Sequence, residues 1–410
     1  MVVQYQIEMT KTKEKLWTRD YTLAFFAGFC TSMIVSSMMT LMAVYSMGKF
    51  GVSEGLAGFT ASITQIGCVI GRLIAGSNTD RIGRRRMAMS VNAFNIVCSA
   101  LYFLPINHVV PFLAVRLLHG MMLGTSHNTM VIAVLDFIPP GRRTEGLAIY
   151  TLNFTIALAI GPAIGILIAA RWSYTVFFGV NLAFAIAGLV ILSLIKFVPT
   201  TFTAEQMARP KLSEGIGALL EKSAMPFALS VFLLSMCYTG ITAFIETYAG
   251  DLGVAWLASV FFIAYSLFIV VSRPIAGRMA DRHGENFVMI PSILFYALSL
   301  LMLGLAGFLP HGFAPALIIG SAIVMAAGFG SILPTGQSTA IKYGEPHRYS
   351  MITSTYFVFS DGAMGIGALV FGAIASGAGL PVTFLIAIVF IFGGLLIYWV
   401  QHGRYHRRGI

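Results

Sequence analysis

Charge is scarce in this sequence of 410 residues: Asp, Glu, Lys and Arg together make up 10 %, against 57 % hydrophobic residues. Soluble domains carry about a quarter charged residues, so this chain cannot cover itself with an ordinary water-facing surface. Cysteine is scarce too. Cys30, Cys68, Cys98 and Cys237 each sit inside an apolar stretch without paired spacing, which excludes a disulfide framework and reads as small packing residues. Period-2 alternation is missing from the apolar stretches, which argues against a membrane β-barrel. No Gly-x-x-x-x-Gly-Lys-Ser/Thr loop is present; the one Gly-Lys, Gly48-Lys49, is followed by Phe50. ATP hydrolysis by this chain is therefore not expected. There is no His-Glu-x-x-His and no pair of active-site carboxylates at helical spacing, so the chain is not read as an enzyme and no cofactor or metal is expected. His402 and His406 stand four apart among Arg404, Arg407 and Arg408, and read as a basic tail on a membrane surface. Residues 1–19 are polar and basic and the first apolar stretch is too long for a signal peptide, so it is expected to remain as the first helix.

What is present is long apolar stretches, each able to cross a bilayer as a helix. Twelve are read, at about 20–47, 55–77, 87–105, 109–135, 145–169, 174–195, 225–249, 254–277, 287–308, 314–340, 350–375 and 379–400. The net charge of +10 would suit nucleic acid, but its distribution excludes that: 21 of 26 Lys and Arg fall in the termini and in the loops of one side. Only Lys49 and Arg171 lie in loops of the other side, while Arg72, Arg116 and Arg273 lie within or at the ends of spans. That asymmetry places both termini in the cytoplasm and the chain in the cell (inner or plasma) membrane, in contact with lipid. The break in composition at 197–223 divides a six-span half, 20–196, from a second, 224–400, with a segment 1–19 before and a tail 401–410 after. Leu212, Ile216, Leu219 and Leu220 follow helical spacing, so an amphipathic helix is expected in the linker.

The halves share a fragment. Gly71 to Gly83 returns as Ser272 to Gly284, with 7 of 13 positions identical at an offset of 201 residues. A duplicated half in an apolar chain is the mark of a carrier built from two similar bundles, parallel here because the number of spans per half is even. The fragment Gly76-Ser-Asn-Thr-Asp80-Arg81-Ile-Gly83-Arg84-Arg85-Arg86 resembles the loop between helices 2 and 3 of the major facilitator superfamily, with Asn78 and Thr79 in place of the usual Leu and Ala. The resemblance covers about residues 20–400. It implies an all-α fold of twelve transmembrane helices in two six-helix bundles related by a pseudo-twofold axis.

From the resemblance, Gly76, Asp80, Arg81, Gly83, Arg84 and Arg85, with Gly277, Asp281, Arg282 and Gly284 in the copy, latch the halves in the outward-facing state. Asp80 can accept charge-assisted bonds from Arg84 or cap a neighbouring helix start. The copies are unequal: Glu285, Asn286 and Phe287 stand where the first has Arg84, Arg85 and Arg86. Arg116-Leu-Leu-His119-Gly120 resembles the family's Arg-x-x-Gln-Gly element, tied in similar exporters to proton coupling. An arginine there costs about 2.5–3.5 kcal/mol on insertion scales, so it needs a partner. Gly161-Pro162-Ala-Ile-Gly165 resembles the antiporter element Gly-Pro-x-x-Gly-Gly, with Ile166 replacing the last glycine.

Two carboxylates lie in apolar spans. Asp361 is eleven residues past Ser350, about 16 Å along a helix and near the bilayer midplane. Desolvation favours the protonated form of a carboxyl, so such a group can carry a proton as access alternates. Glu246 lies near the outer end of its span, placed to bind a cation or to pair with Arg116. Gln65, Asn153, Tyr238, Tyr265, Gln337 and Tyr356 are candidates to line a cavity. Neutral polar, sulfur and aromatic groups outnumber charges there, which hints at an amphipathic or cation-bearing compound. The expected function is proton-coupled export of a small organic compound by a monomer using alternating access. The alternatives are a symporter importing a metabolite and, less favoured, a membrane enzyme or signalling subunit.

Overall fold

The computed structural model describes residues 15–199 and 216–403. Residues 1–14, most of the linker and the end of the tail lie outside the described residues, and so does most of the expected linker helix; Ile216–Leu219 is a short 3-10 turn.

The first bundle contains α1 (Arg19–Phe50), α2 (Glu54–Ile82), α3 (Arg84–Leu101), α4 (Val109–Val134), α5 (Arg143–Tyr150), α6 (Leu152–Arg171) and α7 (Tyr174–Ser193). The fifth span is thus two helices, α5 and α6, joined at Thr151. The second bundle contains α8 (Met225–Asp251), α9 (Leu257–His283), α10 (Asn286–Ala306), α11 (Ala314–Lys342), α12 (Tyr349–Ala378) and α13 (Leu380–Tyr398). No strand occurs among the described residues. Among the described residues, eleven segments are long and apolar enough to cross a membrane. The remaining span is α3, whose first turn carries Arg84, Arg85 and Arg86; it packs against α4 and α7 and completes the bundle.

Local chemistry sets the helix ends. Thr18 caps α1 by accepting from the Tyr21 amide at 3.3 Å. The last glycine of each repeated fragment, Gly83 and Gly284, has φ of 94° and 89°. A residue without a Cβ is needed there, and it turns α2 into α3 and α9 into α10 without a loop.

The bundles meet along two related seams, α2 against α12 and α9 against α5. The register is the same in both. Asp80 of α2 bonds the Ser350 amide near the start of α12, and Asp281 of α9 bonds the Thr144 amide near the start of α5. Small residues set the spacing. A Cβ on Gly76 would lie 2.6 Å from Ser354 Cβ, and one on Gly277 would lie 2.7 Å from Glu145 Cα. These contacts lie at the basic end of the molecule. The hydrogen bonds across the seams reach no farther toward the opposite face than Asp361 and Thr155, among the described residues. The bundles are therefore closed on the basic face.

Candidate functional site

At the basic face each half holds the other through a carboxylate and a helix start. Asp80 Oδ2 accepts from the Ser350 amide at 3.1 Å, and Oδ1 accepts from Arg84 Nε at 3.2 Å. Arg84 also binds Asp136, beyond α4. Asp281 accepts from the Thr144 and Glu145 amides at 3.0 and 2.9 Å. The first turns of α12 and α5 have unpaired N–H groups and the positive end of the helix dipole, so an anion from the other bundle suits both. Arg81, Arg85 and Arg282 of the same fragments are exposed.

The charges around the second latch do not come from its own loop. Glu145 of α5 accepts from Arg142 Nε at 2.8 Å and from Arg278 Nη2 of α9 at 2.7 Å. Glu285 serves elsewhere: its carboxylate binds Lys342 Nζ at 3.0 Å, the Tyr343 hydroxyl at 2.5 Å and His402 Nε2 at 3.2 Å. Burial would push this carboxyl up, but the bonds from His402, Tyr343 and Lys342 outweigh it and hold it well below the usual range. Burial and the neighbouring carboxylate push the Tyr343 phenol up.

Asp361 lies eleven residues beyond Ser350 along α12. It does not stand alone: Oδ2 accepts from Arg72 Nε of α2 at 2.7 Å. The pair bridges the bundles. Arg72 Nη1 lies 3.2 Å from His127 Nδ1 of α4, and its guanidinium carbon lies 4.5 Å from the centre of the Phe357 ring. For Nη1 to donate, His127 must be neutral with its proton on Nε2. The Asp361 side chain is 19 % exposed, so protein atoms do not fully enclose it.

The seam related to this one has a different partner. Arg273 of α9 occupies the place of Arg72, and Thr155, eleven residues beyond Thr144, occupies the place of Asp361. Arg273 donates from Nη1 to Thr155 Oγ1 at 2.8 Å and to the Thr151 carbonyl at 3.3 Å, and from Nε to the Gly330 carbonyl at 2.7 Å.

Arg116 joins neither seam. It is buried in the first bundle and donates to the Thr60 and Ala61 carbonyls of α2 at 2.9 and 3.3 Å. The expected pairing with Glu246 does not occur: Glu246 is exposed near the end of α8, and backbone carbonyls satisfy the guanidinium. His119 is sealed beside it, with Nδ1 3.3 Å from the Tyr102 hydroxyl and Nε2 without a partner. A small cavity joins Arg116 to Thr64, Gln65, Val35 and Met38.

The remaining candidates divide. Asn153 ties α6 to α1, accepting from Ser32 Oγ at 2.8 Å, and Tyr356 donates to the Leu333 carbonyl at 3.0 Å. Tyr238 and Tyr265 are neighbours, with ring centres 6.1 Å apart. Gln337 is buried and both its amide atoms lack partners. Gly161 and Gly165 lie against α1, where a Cβ would approach Ser36 Oγ to 2.7 Å and Leu41 Cδ1 to 2.8 Å, with Pro162 between them inside α6.

Arg72, Arg273 and Thr155 were not among the expected site residues. The signal for the arginines was available, since both fall at the same place in the repeated fragment. Their partners lie on helices far away in sequence and carry no motif.

The Major Facilitator Superfamily profile matches residues 24–309 and 227–409. An uncharacterized MFS-type transporter of Burkholderia pseudomallei is 26 % identical over 382 residues, covering 88 % of this chain and 86 % of that protein. Among solved structures, a proton:xylose symporter superposes with a TM-score of 0.72 at 15 % identity, covering 93 % of this chain and 94 % of the other. A bacterial homologue of the iron transporter ferroportin, in its outward-facing state, superposes with a TM-score of 0.73 at 12 % identity, covering 94 % and 100 %. With duplicated bundles, latches at matching places and a profile match across both halves, the chain belongs to the Major Facilitator Superfamily.

Proposed function

We propose that this transporter is a proton-coupled exporter of a small organic compound, working as a monomer in the cell membrane with its basic face and both termini in the cytoplasm. Membership in a family of transporters makes it a carrier and not an enzyme. The observation that carries the coupling is the Arg72–Asp361 pair, which joins the bundles at mid-depth. Opening the basic face separates α2 from α12, and that motion must break the pair. Separating two charges in a poorly solvated region is costly unless one is neutralised. A proton taken by Asp361 while it faces the open side neutralises the acid and lets the pair part. Release of that proton on the other side restores it. His127 gives Arg72 a neutral neighbour during the exchange.

The export direction rests on the Gly161-Pro162-Gly165 element, which packs α6 tightly on α1. The second reading, proton-coupled import, draws support from the same ion pair. When Asp361 is protonated, Arg72 loses its counterion and the interior becomes more attractive to a negative group, so proton and substrate would travel together.

In proteoliposomes with an imposed pH gradient, Asp361→Asn should abolish gradient-driven transport while the protein remains folded and still exchanges substrate at equilibrium. Undiminished gradient-driven transport in that variant would overturn the assignment.

A further inference from the structure

Among the described residues four arginines are buried; Arg84 lies at the basic end with Asp80 and Asp136, and Arg72, Arg116 and Arg273 lie farther inside the bundles. Of these three inner arginines, only Arg72 has a carboxylate within ion-pair distance. Arg116 and Arg273 bond to carbonyl and hydroxyl oxygens alone, among the described residues. A buried guanidinium without an anion is expensive, and hydrogen bonds to neutral oxygens compensate only part of its lost hydration.

The two uncompensated arginines are placed differently. Arg116 is 1 % exposed inside the first bundle and holds α2 to α4, away from the seams. Arg273 is on a seam. It holds its own bundle at the Gly330 carbonyl and the other bundle at Thr151 and Thr155. Its Nη2 makes no hydrogen bond among the described residues, although it is not sealed from solvent. Thr155 Oγ1 accepts from Nη1 and keeps its own O–H to donate. The related seam shows what belongs in such a place. Where Arg72 meets a carboxylate of the chain, Arg273 meets a hydroxyl.

We infer that the transported compound is an organic anion, and that its carboxylate or other oxyanion group takes at Arg273 and Thr155 the place that Asp361 fills at Arg72. Arg273 Nη2 donates to one oxygen of the anion and the Thr155 hydroxyl to the other. The anion then bonds groups from both bundles, which lets its presence bias their relative position. The charge balance departs from the cation-bearing compound suggested by the residue inventory of the spans. The inference rests on the carrier reading but not on its direction. Protonation of Asp361 raises the positive charge of the interior, so anion and proton should bind cooperatively.

The test uses the full chain in lipid nanodiscs with matched probes: benzoate against benzamide and benzylammonium, and succinate against succinamide. Binding is read by thermal stabilisation and by titration calorimetry. In the wild type, at least one anion should bind about tenfold or more tightly than its neutral counterpart. Arg273→Gln should erase that preference, Arg273→Lys should retain part of it, and Arg116→Gln should keep it. Because Arg273→Gln also removes bonds across the seam, Thr155→Asp is the decisive variant. It supplies an internal carboxylate, so the melting temperature should hold or rise while anion affinity falls about tenfold or more. The inference is overturned if no anion is preferred over its neutral counterpart, or if Thr155→Asp binds the anion as tightly as the wild type. The coupling assignment fails separately: anion binding that depends on Arg273, with transport indifferent to Asp361→Asn, removes the proton role and leaves the anion site. Proton-driven transport of a neutral or cationic compound, unaffected by Arg273→Gln, removes the anion site and leaves the coupling.

Discussion

The two seams share one register and differ in chemistry. Asp80 and Asp281 each cap the first turn of a helix in the opposite bundle. Eight residues before each stands an arginine, Arg72 or Arg273, and eleven residues beyond each capped position stands its partner. On one side that partner is Asp361 and on the other Thr155. The backbone problem, holding two bundles together at one end, is solved twice in the same way. The charge problem is solved inside the chain on one seam only. Duplication thus supplied a symmetric frame, and substitution at one position per seam separated a self-contained ion pair from a guanidinium with neutral partners.

The largest expected difference follows from removing the arginines one at a time. Arg72→Gln leaves Asp361 without its cation and should cost about 3 kcal/mol, the low end for a broken buried pair because Asp361 is not fully enclosed. Arg273→Gln loses hydrogen bonds to neutral oxygens and should cost about 1–2 kcal/mol. Thermal unfolding of both variants in one detergent checks the order; equal losses would mean that the ion pair has no special weight.

Next are the glycines at the crossings. Gly277→Ala sets a methyl against three backbone atoms, Glu145 Cα, Glu145 N and the Thr144 carbonyl oxygen, whereas Gly76→Ala meets one fixed atom, Ser354 Cβ, and a hydroxyl that can rotate away. Gly277→Ala should open the basic face more, by about 1–3 kcal/mol as in other overpacked sites. In inside-out vesicles, modification of a cysteine introduced at Ser338, by a reagent that does not cross membranes, should be faster in Gly277→Ala than in Gly76→Ala.

A smaller contrast is expected between the latches. Asp80→Asn strands Arg84 with Asp136 alone, while Asp281→Asn leaves the Glu145 ion pairs in place. The same labelling rate should therefore rise more in Asp80→Asn, and a reversal would show that the two amide bonds at Asp281 matter more than the arginine at Asp80.

The smallest effect is expected at Glu285, which has no counterpart in the first half. Its carboxyl is held below the ordinary range in the folded protein. Its contribution is therefore fully present above the ordinary glutamate pKa of about 4.3 and is lost as pH falls below it. Glu285→Gln should lower the melting temperature by a few degrees at neutral pH, and the gap to the wild type should narrow on acidification below about pH 4. A gap that stays constant with pH would assign the loss to packing.

The frame was largely legible in the sequence, because span length and one-sided basic charge follow from the bilayer itself. The repeated fragment located both turns at Gly83 and Gly284. Asp361 stood out because a carboxylate is rare in an apolar stretch. Its partner did not stand out, since Arg72 is 289 residues away and no periodicity links positions on separate bundles. Arg116 misled for a related reason: an embedded arginine asks for an acid, but neighbouring carbonyls of α2 met the need. Thr155 was invisible, because a threonine in a membrane helix is unremarked until its place is matched to that of Asp361.

The latches bind main-chain amides, and this has a genetic consequence. Every residue except proline offers the same N–H, so exchanging the side chains of Thr144 or Ser350 leaves the bonds to Asp281 and Asp80 available. A random mutagenesis screen for leaky gates should therefore collect lesions at the two aspartates and the two crossing glycines. At the capped positions, which are buried, it should tolerate small replacements that keep the amide and reject proline.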